Sequence, residues 1–150
     1  MIKILFVCLG NICRSPMAEF VMKDLVKKEG LEDKFYIASA ATSAEEIGNG
    51  VHYGTRKILD SLGICYKGKT AVQMTKADYD KYDYIIGMED ANVRSIIRIA
   101  GGDSQNKVAK LLSFAGETAD IADPWYTGNF DETYKDVLKG CSALLEKLKQ

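Results

Sequence analysis

Ten residues near the N-terminus, Val7-Cys8-Leu9-Gly10-Asn11-Ile12-Cys13-Arg14-Ser15-Pro16, restrict the fold more than any other part of the 150-residue chain. Ile2 to Val7 is an apolar, β-prone run, and Pro16 opens a helical pattern, so the stretch reads as a strand-to-helix loop. In such a loop the unpaired backbone N–H groups and the positive end of the helix dipole face one point, which makes an anion cradle. Cys8 begins the loop and Arg14 closes it, bringing one thiol and one guanidinium to the same anion. Donors and a fixed cation stabilise a thiolate, so Cys8 is expected to give up its proton readily and to attack the anion it faces.

The rest of the chain alternates strand and helix patterns. The first helix is expected over Pro16 to Glu29, capped by Ser15, with Met17, Ala18, Val21, Met22 and Leu25 on one face. Phe35 to Ala38 reads as a strand running into the polar loop Ser39 to Ala44. A helix carrying Ile58, Leu59 and Leu62 stops at Gly63, and Thr75 to Asp78 has capping-box spacing. Tyr84 to Met88 is a buried strand, followed by a helix with Val93, Ile96, Ile97 and Ala100 on one face. Val108 to Leu112 is expected as the fourth strand. Ser113 to Gly128 has no clean period and reads as a functional loop. From Asn129, again with capping-box spacing, an apolar rhythm of three and four runs to the C-terminus.

Alternation of this kind implies one α/β domain over 1–150, with a parallel sheet covered on both faces and its site at the carboxyl ends of the strands. Cys8, Ser39 to Thr42, Met88 to Asn92 and the Asp123 loop each follow a strand, so four loops converge on one rim. A phosphomonoester there would have its oxygens held by loop N–H groups and Arg14 while Cys8 attacks phosphorus. Asp123 is the candidate proton donor, since Pro124 stiffens its loop and Trp125 and Tyr126 could desolvate it and raise its pKa. From the residues alone an ordinary Asp-Pro turn remains open for Asp123, with Asp120 as fallback acid. Plain packing remains open for Trp125 and Tyr126, otherwise walls of a deep slot for a flat phenyl phosphate.

Cys, five residues, Arg and Ser resembles the signature loop of cysteine-dependent phosphatases. The form here is similar to that of the low-molecular-weight protein tyrosine phosphatase family, and so are Ser39-Ala40-Ala41-Thr42-Ser43, Gln73-Met74-Thr75, Asp83-Tyr84-Ile85-Ile86 and Asp123-Pro124-Trp125-Tyr126. The resemblance implies a phosphotyrosine phosphatase I-like fold: three layers, α/β/α, with a four-stranded parallel sheet in the order 2-1-3-4. It also implies phosphotyrosine hydrolysis through a phosphocysteine, with Cys8, Arg14 and Asp123 catalytic. Leu9, Gly10, Asn11, Ile12, Cys13 and Ser15 would form the phosphate loop, with Ser15 donating to the Cys8 sulfur, and Glu45, Trp125 and Tyr126 the substrate entrance. No cofactor or metal is expected. Related arginine phosphatases carry threonine where Ile12 stands, which leans the choice towards tyrosine. Cys13 could pair with Cys8 on oxidation or simply pack the loop.

Three departures from the family pattern stand out. Ala41 replaces a usual glycine, Glu45 a bulky aromatic, and Lys69 a histidine that braces the loop asparagine, so the support of Asn11 is open. His52 reads as a surface loop residue.

Net charge of −1 does not favour nucleic acid as a partner. The N-terminal apolar run breaks at Gly10-Asn11, which disfavours a signal peptide, and no stretch is long enough to span a bilayer. Four cysteines without a Cys-x-x-Cys pair, and one histidine, offer no zinc pattern. A cytoplasmic protein free of membrane and nucleic acid is therefore expected; the resemblance implies a phosphotyrosine-containing protein as substrate, and a monomer is expected with weak self-association left open. The competing readings are an arginine phosphatase, a thioredoxin-coupled arsenate reductase, for which only Cys65 and Cys141 could serve as further thiols, and a non-catalytic phosphate-binding or thiol redox module.

Overall fold

Side-chain alternation along the first strand, β1 (Ile2–Cys8), sets the layers. Ile4, Phe6 and Cys8 enter one apolar cluster and Leu5 and Val7 another, and all five are buried. The chain is described here by a computed structural model over residues 1–149. With β2 (Phe35–Ala41), β3 (Tyr84–Gly87) and β4 (Val108–Lys110), β1 forms a parallel sheet in the order β2-β1-β3-β4. This is the expected order.

On the Phe6 side lie α1 (Arg14–Lys28), α2 (Tyr53–Ser61) and the C-terminal helix, which supply Met17, Met22, Leu59, Val137, Cys141 and Leu144. On the Val7 side α3 (Lys76–Lys81) and α4 (Asp90–Ala100) supply Tyr79, Ile96 and Ala100. The result is α/β/α, each fully buried large apolar side chain contributing about 1.5–3 kcal/mol. A short helix, α5 (Pro124–Thr127), and the long α6 (Phe130–Leu148), the C-terminal helix just mentioned, complete the chain order.

Register places the site. Cys8 pairs with Ala41, Val7 with Gly87, and Gly87 with Lys110, so all four strands end on one rim. Cys8, at the end of a central strand, stands in the middle of it.

Several boundaries differ from expectation for local reasons. Strand β2 continues to Ala41 because Ala41 is bridged by the backbone on its far side, where its N–H donates to Val72 O at 2.7 Å and its carbonyl accepts from Met74 N at 2.8 Å. The fourth strand stops at Lys110, and Leu111–Ala115 coils into a 3-10 helix that drives Leu111 and Leu112 into the core. Helix α1 begins two residues early, at Arg14. Pro16 still falls in its first turn, where its missing N–H costs nothing. Ser15 does not cap this helix, which starts from Cys13 without a side-chain cap, because its hydroxyl is used on Cys8.

The Thr75–Asp78 capping box is formed. At Asn129 only half of one exists: Asn129 Oδ1 accepts from Glu132 N at 3.0 Å, and Glu132 answers to the Asn129 side chain instead of its backbone. Among the described residues no helix is long and apolar enough to cross a membrane, and no group of three or more His, Cys, Asp or Glu side chains could hold a metal ion.

Candidate active site

The loop from Cys8 to Ser15 folds back on its own sulfur. Asn11 N donates to Cys8 Sγ at 3.3 Å, Ser15 N at 3.4 Å, and the Ser15 hydroxyl lies 3.1 Å away. Two backbone donors and a hydroxyl that can turn its proton inwards thus converge on one sulfur.

Such a turn requires a left-handed residue, and Asn11 takes that role with φ of 58°. Asparagine tolerates this conformation better than most, and its amide is fully used in holding it. Nδ2 donates to Ser15 Oγ at 2.8 Å and Ser39 Oγ at 3.0 Å, while Oδ1 accepts from Val72 N at 3.1 Å. Ser39 passes its own proton to Glu19 Oε1 at 2.6 Å. Lys69 donates to the Ser39 carbonyl at 3.0 Å and stands 3.7 Å from Glu19. Burial pulls the Lys69 ammonium below its usual range against the pull of Glu19. The lysine thus braces the asparagine at one remove, through Ser39, and the open question of Asn11 support is answered by serines from both sides.

Arg14 is 1% exposed, yet charged neighbours surround it. Its NH1 donates to Ile121 O at 3.0 Å, and its NH2 to Glu89 Oε1 and Asp123 Oδ2, both at 3.3 Å. Burial works against the guanidinium charge, but the Cys8 sulfur, Glu89 and Asp123 outweigh it and raise its pKa. These bonds occupy three of five N–H donors, leaving two for an anion among the described residues.

Asp123 is the N-cap of α5. Its Oδ1 accepts from Trp125 N at 3.0 Å, and its Oδ2 faces Arg14. The Pro124 pyrrolidine fills the first helical position, so Asp123 sits where an N-cap aspartate is preferred. A cavity of about 140 Å³ opens over the sulfur, lined by Cys8, Leu9, Gly10, Ile12, Cys13 and Arg14 below and Glu45, Glu46, Asp123, Trp125 and Tyr126 around the mouth. Asn11 and Ser15 lie beneath the loop as support.

A family model described as low molecular weight phosphotyrosine protein phosphatase matches residues 3–150. The chain belongs to this family. It is 43% identical over its full length to the low molecular weight protein-tyrosine-phosphatase YfkJ of Bacillus subtilis, 97% of which is covered. The YfkJ crystal structure superposes with a TM-score of 0.95 at 44% identity, covering 99% of this chain and 95% of that one. SP-PTP, the low molecular weight protein tyrosine phosphatase of Streptococcus pyogenes, gives 0.89 at 44% identity, with 99% and 93% covered. DARP, the Drosophila arginine phosphatase, gives 0.90 at 29% identity, covering 99% of each chain. Cysteine-dependent phosphatases make up the family, and a phosphocysteine is characteristic of them.

Family membership explains the loop, but several neighbours escaped the sequence. Glu89 was hidden in an ordinary acidic helix start, and only the sheet register brings it to Arg14. Glu46 is recruited to the mouth by a hydrogen bond of 2.6 Å from Asn49. His52 is more than a surface residue: its N–H donates to Ile12 O at 2.8 Å, its Nδ1 caps α2 through Gly54 N, and its ring stacks on Phe130 and meets Trp125 edge-on.

Trp125 and Tyr126 line the cavity at its mouth, 57% and 79% exposed, and the Asp123 carboxylate lies against Arg14. Asp120, the fallback acid, is outside the cavity and bonded to Lys110 at 2.9 Å. Cys13 has its thiol pushed up to about 12, by burial first and by Cys8 and Asp123 next.

Proposed function

We propose that the protein hydrolyses phosphotyrosine monoesters in proteins through a phosphocysteine, as one catalytic domain spanning 1–150. One observation carries this reading: Cys8 and Arg14 of the loop and Asp123, 109 residues beyond Arg14, line a single cavity. Cys8 Sγ attacks phosphorus as the bond to the phenol oxygen breaks, and Asp123 gives that oxygen its proton. Loop N–H groups and Arg14 hold the three equatorial oxygens, whose charge grows in the transition state. Water then attacks the phosphocysteine and Asp123 takes back a proton, releasing phosphate and the sulfur anion.

Hydrolysis of p-nitrophenyl phosphate tests this directly. Cys8→Ser should abolish turnover while still binding vanadate. Asp123→Ala should lose about 100-fold or more on phenyl phosphate and much less on substrates whose leaving group needs little protonation. Equal loss across leaving groups would remove Asp123 from the acid role.

The likeness to the Drosophila arginine phosphatase favours phosphoarginine as a second reading. Ile12 in the cavity wall supports tyrosine, because an apolar side chain there meets an aryl ring better than a guanidino group. Rates on phosphotyrosine, phosphoserine and phosphoarginine peptides separate the two. We further infer a cytoplasmic monomer without membrane or nucleic-acid partners. Four free cysteines, one of them exposed, support a reducing compartment.

A further inference from the structure

Lys110 ends β4 on the rim, with its side chain 10% exposed, and it is not among the residues lining the cavity. An ammonium has three N–H donors, and three oxygens take them. Asp90 Oδ1 accepts at 3.0 Å, Asp120 Oδ1 at 2.9 Å and the Thr118 carbonyl at 2.5 Å. Asp120 Oδ1 also accepts from Asp90 N at 3.1 Å, so the start of α4 and the segment before Asp123 are joined twice.

The bond after this clamp continues into the site. Ile121 donates its N–H to Met88 O at 2.9 Å and lends its carbonyl to Arg14 at 3.0 Å. Two residues further on, Asp123 faces the same guanidinium, and Glu89 reaches it from the neighbour of Asp90. The segment from Glu117 to Ala122 has no strand or helix of its own to hold it. Buried Ile121 anchors it and Lys139 holds Glu117, while Lys110 on Thr118 and Asp120 and Arg14 on the Ile121 carbonyl tie it to the rim of the site.

We propose that Lys110 is a positioning residue which, through Thr118 and Asp120, holds the Asp123 loop in register with the phosphate loop. It acts on leaving-group protonation without touching substrate. The proposal rests on Asp123 being the general acid. Hydrogen bonding to Lys110 keeps the Asp120 carboxyl below its usual range, and Asp120 in turn raises the Lys110 ammonium, so both stay charged at neutral pH.

The test compares Lys110→Met, Lys110→Arg and Asp120→Asn, each with and without Asp123→Asn. Values of kcat/KM are read on phenyl phosphate and p-nitrophenyl phosphate, with the inhibition constant of inorganic phosphate as control. Small displacements of a reacting group cost up to about 100-fold. Lys110→Met is therefore expected to lose roughly tenfold on phenyl phosphate, less than about twofold on p-nitrophenyl phosphate, and nothing in phosphate affinity. Lys110→Arg should restore most of the loss. In the Asp123→Asn background Lys110→Met should add nothing.

Asp120→Asn should show the same pattern more weakly, and it carries the test if Lys110→Met fails to fold. A loss equal on both substrates, a weakened phosphate affinity, or a further loss on top of Asp123→Asn overturns the proposal while leaving Asp123 as the acid. Asp123→Asn alone keeping the wild-type dependence on leaving group overturns the acid reading, and this proposal with it, by a separate result.

Discussion

The hydroxyl of Ser15 lies 3.1 Å from the sulfur of Cys8, and its proton has one short route to take. Asn11 Nδ2 donates to Ser15 Oγ at 2.8 Å, taking one of that oxygen's two lone pairs and turning the serine proton away from the amide. The serine proton goes to Sγ in preference to the Ala40 carbonyl at 3.4 Å. Ser15→Ala leaves the two backbone donors in place and removes the third. Hydrogen bonds to charged groups contribute about 1.5–3 kcal/mol, which converts to roughly 10- to 150-fold. That loss is expected in the turnover of phosphocysteine, where the sulfur leaves, with KM changing little. Rapid-quench measurement of the phosphoenzyme checks it: the intermediate should accumulate in Ser15→Ala.

Glu89 holds one edge of Arg14 and Asp123 another, both through NH2. Glu89→Gln keeps an acceptor in place but removes the charge, and Glu89→Ala removes both. A guanidinium relieved of one anchor loses the orientation needed to meet two phosphoryl oxygens at once. Inorganic phosphate should bind about three- to tenfold more weakly to Glu89→Ala and nearly normally to Glu89→Gln, less than a full charge-assisted hydrogen bond because Asp123 and the Ile121 carbonyl still hold the guanidinium. Phosphate inhibition of p-nitrophenyl phosphate hydrolysis reads this difference.

Legibility differed sharply between these two pairs. Cys8, Arg14 and Ser15 sit within eight residues of one another, and their chemistry is written in local spacing. The sheet order was legible too, though from the family resemblance more than from the strand pattern. Glu89 was not, because nothing within α4 distinguishes it from a capping residue. It matters only through the pairing of Val7 with Gly87, which no local pattern encodes. The aromatic pair was legible as a neighbour of the cavity, but its degree of exposure was not. Trp125 and Tyr126 are apolar in composition, but α5 is four residues long and too short to bury both faces. Lys110 is an ordinary surface lysine in the sequence and Lys69 only a departure from the family's histidine, and both become largely covered braces when β2 and β4 end on the same rim.

Of the four thiols, Cys8, Cys13 and Cys141 are buried and Cys65 is exposed, and Cys8 faces the cavity with its sulfur among the loop donors. Burial pushes the Cys13 thiol up to about 12, and it pushes Cys141 higher still. At pH 8 both therefore keep their protons, and the thiolate is the reactive form. Iodoacetamide at that pH should label Cys8 and Cys65, and peptide mass mapping should find Cys13 and Cys141 unmodified until the chain is unfolded. Phosphate should protect Cys8 and leave Cys65 unaffected. The same shifts fix an alkaline limit on stability. Above the ordinary thiol value of 9.0 the unfolded chain releases these protons while the folded chain retains them. Unfolding is favoured increasingly as pH climbs from about 9 towards 12, and a falling denaturant midpoint across that window is the expected observation.

Gly54 is set against Phe130 so closely that a methyl group added to it would overlap the ring. The ring cannot retreat freely, because the His52 imidazole stacks on it at 5.2 Å and 11°. His52 in turn meets Trp125 at 5.4 Å and donates its backbone N–H to Ile12 of the phosphate loop. Gly54→Ala must therefore push α6 or tilt Phe130, and either motion is passed through His52 to the mouth of the cavity. Overpacking of this kind costs about 1–3 kcal/mol, more than alanine gains over glycine in a helix, which is roughly 1 kcal/mol. A net loss of stability is expected, with KM for an aryl phosphate rising as the Trp125 ring shifts and kcat nearly unchanged, since the stack meets the ring of Trp125 and not the backbone N–H that holds Asp123. Phe130→Leu in the Gly54→Ala background relieves the overlap and should recover stability without restoring KM, because the ring that holds His52 is gone. Recovery of both together would show that Trp125 is placed by something other than His52.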